Sequence, residues 1–90
     1  YWVQHGKADP VALVKRYAGR CPLLHMKDMA GGEVQVDVPV GTGILDMKGI
    51  IEVAKANDKP WFIVEQDNPQ KPILWAVELS LKNMRRLLEK

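Results

Sequence analysis

Hydrophobic residues recur along this chain with two different periods. Short apolar runs occupy Leu23–Met26, interrupted only by His25, and Trp61–Val64. Elsewhere they repeat at helical spacing: Val11, Val14 and Ala18, then Ile50, Ile51 and Ala54, then Leu74, Val77, Leu81, Met84 and Leu88. Runs of a few residues suit strands, and a 3.6-residue repeat suits a helix with one packed face. The spacing predicts the tail of a strand over 1–4, a helix from Asp9 through Arg20 and a strand over 22–27. A helix over 47–57, a strand over 61–67 and a helix over 73–89 follow. Asp9 is an N-cap with Pro10 at the first helical position, and Gly19 is a C-terminal stop. Asp46 caps the second helix, while Pro60 and an Asn68-Pro69 turn bracket the second apolar strand. The stripe on the last helix reads as core packing rather than as a groove for a partner.

Residues 29–45 fit neither period. Gly31, Gly32, Pro39, Gly41 and Gly43 punctuate an alternation of Val34, Val36, Val38 and Val40, the mark of a long loop carrying a small hairpin. It leaves the polar end of the 22–27 strand and is either part of a lid or a hairpin with no such role. Strands alternating with helices indicate an α/β chain with a parallel sheet and right-handed crossovers. Three strand–helix units would cover only part of a closed (β/α)8 barrel.

Composition narrows the function classes. At 90 residues the chain is one small domain with a limited core. A net charge of +2 is too small to argue for nucleic acid, and Lys82, Arg85 and Arg86 read as a solvated helix face. The single cysteine, Cys21, excludes an internal disulfide, fits a reducing cytoplasm and reads as a small buried residue. No apolar run is long enough to span a membrane, and the start lacks the basic region and apolar core of a signal peptide. Opening directly on Tyr1-Trp2-Val3, the chain reads as a fragment that starts inside a strand.

The chemistry gathers at the ends of the two apolar strands. Strand parity places Leu23, His25 and Lys27 on one side, and Leu24 and Met26 on the other. Trp61, Ile63, Glu65 and Asp67 likewise share a side, opposite Phe62 and Val64. The apolar run on both faces of 22–27 suits a parallel strand covered above and below. Ligands in parallel α/β folds collect at the carboxyl ends of strands. Adjacent strands lie about 4.8 Å apart, so the His25 imidazole and the Glu65 carboxylate could meet on one divalent ion. The other reading of His25 is a hydrogen-bonded residue closing a strand. Lys27 either meets substrate oxygens from the same face or bends outward into solvent.

The segments Tyr1–Gly6, Leu23–Asp28, Gly41–Asp46 and Ile63–Asp67 together resemble the last three βα units of sugar phosphate isomerase/epimerase proteins. These are xylose-isomerase-like TIM barrels, related to inosose dehydratases, ketose 3-epimerases and endonuclease-type barrels. The resemblance covers residues 1–90 in order and implies a partial barrel, parallel strands with outer helices. It implies a divalent metal ion (Mn, Mg, Co or Zn) held by His25 and Glu65, with the family's remaining Glu and Asp ligands upstream of Tyr1. Trp2 stands where family epimerases often carry a histidine, and would stack on a sugar face or wall the pocket. His5, on the following loop, reads as structural.

The implied chemistry is isomerisation or epimerisation of a small sugar or sugar phosphate. A proton leaves the carbon next to a carbonyl, the resulting enediolate is stabilised by a Lewis acid, and a carboxylate relays the proton. Glu65 would be ligand and catalytic relay, with Lys27 and Trp2 on the substrate. With two of four ligands present, the isolated chain is expected to bind metal weakly and to turn over no sugar. The alternative is a non-catalytic partial barrel that self-associates as a homo-oligomer. A metal-dependent endonuclease barrel fits less well, because such enzymes carry more histidines and a basic DNA-facing surface.

Overall fold

A computed structural model describes residues 1–67 and 70–89 of the chain, so the turn expected at Asn68-Pro69 lies outside the described residues. Helix α1 (Trp2–His5) precedes α2 (Pro10–Tyr17), which runs into a 3-10 turn over Ala18–Arg20. Strands β1 (Leu23–Met26), β2 (Asp28–Met29) and β3 (Asp37–Val38) follow, then α3 (Met47–Ala54), β4 (Trp61–Val64) and α4 (Ile73–Leu88). The result is a mixed α/β fold.

Both aspartate caps form. Asp9 accepts from the Val11 and Ala12 N–H groups, and Asp46 accepts from Gly49, satisfying donors that the first helical turn leaves open. Strands β1 and β4 pair in parallel with Leu23 opposite Trp61 and His25 opposite Ile63. The ladder extends to the Glu65 N–H, which donates to the Met26 carbonyl at 3.0 Å. One face of this pair packs on the helices. Met26, Val40, Leu45, Met47, Ile50, Ile51 and Met84 form the core, with Leu24, Phe62 and Val64 against it.

The other face is open, contrary to the expectation of a strand covered on both sides. Trp61 is 72% exposed, Leu23 48% and Ile63 43%. Parity assigned these residues correctly, but no layer among the described residues lies over them.

Segment 37–45 is held by one carboxylate. Strands β2 and β3 form the small antiparallel hairpin that the alternating valines predicted, pairing Asp28 with Val38 and Met29 with Asp37. The Asp28 side chain is fully buried. Its Oδ1 accepts from the N–H groups of Met29 (2.9 Å) and Leu45 (3.2 Å), and its Oδ2 from those of Gly41 and Gly43 (3.0 Å each). The loop must close tightly around it. Gly41 has φ +90°, and a Cβ on Gly43 would lie 2.3 Å from the Met29 carbonyl oxygen. Helix α4 holds the loop from the far side: Ser80 Oγ accepts from the Val40 N–H, and Asn83 donates to the Val40 carbonyl.

Four further expectations are corrected. Residues 2–5 are a helical turn, not a strand tail. Their backbone closes on itself, His5 N–H to Tyr1 O at 2.8 Å and Gly6 N–H to Trp2 O at 3.0 Å. The parallel sheet therefore has two strands rather than three. Helix α3 ends at Ala54, not near Asn57, whose amide side chain instead donates to the Ala18 carbonyl. Of the stripe Leu74, Val77, Leu81, Met84 and Leu88 on α4, Met84 is buried as expected, together with Ala76 and Ser80, whereas the other four are exposed. Cys21 is half-buried. Among the described residues no helix is long and apolar enough to cross a membrane.

Candidate functional site

The carboxyl ends of β1 and β4 bring His25, Lys27, Glu65 and Asp67 to one rim. His25 Nδ1 lies 3.0 Å from Glu65 Oε1. In a neutral ring this contact puts the proton on Nδ1 and leaves Nε2 with its lone pair. The other Glu65 oxygen, Oε2, is 3.6 Å from the Lys27 ammonium, which also contacts Asp67 Oδ1 at 2.9 Å. A continuous chain of polar contacts thus runs His25–Glu65–Lys27–Asp67.

Lys27 is the centre of this chain and is 3% exposed. Its Nζ lies 4.3 Å from the centroid of the Tyr1 ring and 4.5 Å from that of Trp2, so two aromatic faces and two carboxylates surround it. A buried ammonium persists only when its charge is met in this way. Burial pulls its pKa down, but the hydrogen bond and charge of Asp67, with Asp37 and Glu65, outweigh it and hold the group above the ordinary lysine value. The hydrogen bond from Lys27, opposed by desolvation, holds Asp67 below the usual carboxylate range. Lys27 therefore neither bends into solvent nor stands free. Its ammonium is engaged by the protein's own acids.

Trp2 stands at this rim, packed edge-on against Tyr1 at 4.7 Å between centroids and against His5 at 5.6 Å. It walls the lysine. His5 contacts the Gln35 side chain, and the Tyr1 hydroxyl donates to the Gln35 carbonyl, so α1 is fastened to the long loop.

Two contributors escaped the sequence reading. Asp37, on β3, accepts the Asp67 N–H through Oδ2 at 2.9 Å and adds charge near Lys27. Gln66 donates to the Val38 carbonyl at 3.1 Å and to Ser80 Oγ at 3.4 Å. Together they tie the segment carrying Glu65 to the hairpin and to α4. A signal for Asp37 existed: if the alternating valines share one side, Gln35 and Asp37 share the other, and both reach the site region. Tyr1 suits a strand by its sequence alone, and the helical winding that follows it accompanies a ring placed over Lys27.

The site can hold one cation between two donors, or remain an ion-paired clasp. For a metal with bonds of about 2.1 Å, two ligands at right angles stand about 3.0 Å apart. The His25–Glu65 separation of 3.0 Å matches that edge, and equally a hydrogen bond. Among the described residues no group of three or more His, Cys, Asp and Glu side chains gathers as a metal cage. A cleft of about 100 Å³ behind β1, lined by Leu24, Met26, Leu45, Met47 and Ile50 among others, is smaller than the roughly 300 Å³ of small-molecule pockets.

No protein-family model matches the chain, and no curated protein matches it at a significant level.

Proposed function

We propose that this chain is part of a divalent-metal-dependent sugar or sugar phosphate isomerase or epimerase, contributing two metal ligands, His25 and Glu65. The motif resemblance motivates this reading. The observation that carries it is the 3.0 Å approach of His25 Nδ1 to Glu65 Oε1 at the carboxyl ends of two parallel strands. These residues fit two corners of an ion's shell; the other ligands come from water or from protein outside this chain. A bound divalent ion would polarise the sugar's oxygens. The chain's own residues then divide the work: Glu65 receives and returns a proton, Trp61 and Leu23 offer an apolar surface to the sugar ring, and Trp2 walls the rim. Lys27 neutralises Glu65 and Asp67 and orients the Glu65 carboxylate, which replaces the role of direct substrate contact expected for it. In this reading the two parallel strands and their helices belong to a (β/α)8 barrel whose remaining strands cover the open face.

A second reading, a non-catalytic clasp, is favoured by one observation: the buried Lys27 already engages both carboxylates. Manganese titration of the purified chain, followed by the loss of the free-ion electron paramagnetic resonance signal, separates the two. Weak binding is expected, because two protein ligands leave most of the ion's shell to water. His25→Ala and Glu65→Gln should each abolish it. Binding unchanged in both variants rejects the assignment, and no binding at all favours the clasp. No sugar turnover is expected of this chain alone.

A further inference from the structure

The apolar residues of α4 fall at 74, 77, 81, 84 and 88, alternating steps of three and four that make a heptad repeat. Only Met84 enters the core. Leu74 is 81% exposed, and Val77, Leu81 and Leu88 lie in a line with it at 39–45%. Single exposed leucines are ordinary on a protein surface. Three leucines and a valine aligned along one seam of one helix form a continuous apolar stripe.

The charges beside the stripe select its occupant. Glu78 and Arg85 are both exposed and lie on the same flank of the stripe, three residues before and four residues after Leu81. Two copies of α4 packed antiparallel about a two-fold axis at Leu81 bring Leu74 of each against Leu88 of the other. The same operation sets Glu78 of each copy beside Arg85 of the other, twice. Parallel packing about a two-fold axis would instead carry this flank to opposite sides of the seam in the two copies, so that neither Glu78 nor Arg85 would gain an opposite charge from the other's same flank. The apolar seam and the charged flank are thus both satisfied by one arrangement.

We propose that α4 is a self-association surface through which two copies of this chain pair antiparallel, with Leu81 on the two-fold axis and Glu78 facing Arg85 of the second copy. The 16-residue helix is about 24 Å long. One stripe of that length offers less than the roughly 1,200–2,000 Å² typical of stable complexes, so the dimer is weak and concentration-dependent. This inference does not depend on the metal-site reading.

Sedimentation equilibrium of the 90-residue chain, over a series from micromolar to millimolar, should show the mass rising from 10.2 kDa toward twice that value. Leu81→Lys places two ammonium groups on the axis and should weaken association at least about tenfold, with the circular dichroism of the monomer unchanged. Glu78→Arg alone and Arg85→Glu alone each create like-charge contacts and should weaken it too. Mixing those two variants restores both opposite-charge pairs, so an equimolar mixture should associate better than either alone. That rescue tests the proposal even if Leu81→Lys fails to fold. A single monomer mass at every concentration would overturn it. So would a dimer indifferent to the α4 variants and broken by Trp61→Lys, which would assign the contact to the open sheet face.

Discussion

Lys27 and Asp28 are consecutive, charged and buried, yet they serve regions of opposite character. Asp28 is met by four backbone N–H groups, from Met29, Gly41, Gly43 and Leu45. Those donors belong to one loop, and their positions depend on the carboxylate that gathers them. Lys27 is met by side chains, the carboxylates of Glu65 and Asp67 and the rings of Tyr1 and Trp2. Asp67 is 56% exposed at its side chain, so water can replace part of what the protein supplies there. A buried charge solvated by backbone builds structure; one solvated by side chains at a rim leaves those side chains adjustable. The loop around Asp28 is accordingly a fixed frame, and the rim around Lys27 is held by side chains that can rearrange.

The sharpest way to break this contrast is to remove each charge in turn. Asp28→Ala orphans four N–H groups, two of them from the glycines of the tight loop, and should cost about 4 kcal/mol or more. For a domain of this size that is a large part of the total stability. Urea unfolding is the measurement, and a loss below about 1 kcal/mol would show that the loop does not depend on Asp28. Gly43→Ala tests the same frame without touching charge. The added methyl would sit 2.3 Å from the Met29 oxygen and 2.5 Å from Asp28 Oδ1, so a loss of about 2–3 kcal/mol is expected from backbone displacement.

Lys27→Met should cost less, about 1–3 kcal/mol, because the carboxylates it leaves are partly solvated and the methionine stem keeps much of the packing. If that variant is as damaging as Asp28→Ala, the rim is as rigid as the loop and the contrast fails. The smallest effect is the pH dependence of the Lys27–Asp67 pair. Asp67 has a lowered pKa when folded, so its contribution is present above the unfolded value of about 3.9 and is lost as pH falls through the lower folded value. Lys27 has a raised pKa, so its contribution is present below about 10.4 and is lost as pH rises through the higher folded value. Between about pH 5 and 9 the pair should leave stability flat. Asp67→Asn should remove its part of the acid-side loss and leave the alkaline side smaller, read from thermal midpoints across pH.

Residue patterns alone carried much of this. Asp9-Pro10 and Asp46 marked helix starts because a carboxylate before a first turn answers donors that exist in any helix, whatever surrounds it. Strand parity placed His25, Lys27, Glu65 and Asp67 on one side because alternation is a property of the extended chain itself. The valine alternation of 34–40 suggested a small hairpin for the same reason, and of those valines Val38 lies in its strand. These are local rules, and they hold without knowledge of neighbours.

What neighbours decide was not legible. Residues 1–4 suited a strand by composition, but a strand draws its backbone bonds from a neighbour, and residues 2–5 satisfy theirs within one helical turn instead. The α4 stripe looked like core because heptad spacing says which residues share a face, not which face the protein covers. Lys27 and Asp28 look alike in sequence as charges after an apolar run. Only the fold, by returning glycine N–H groups to one and carboxylates to the other, separated a frame from a site, because the partners that solvate a buried charge arrive from 13 to 40 residues away.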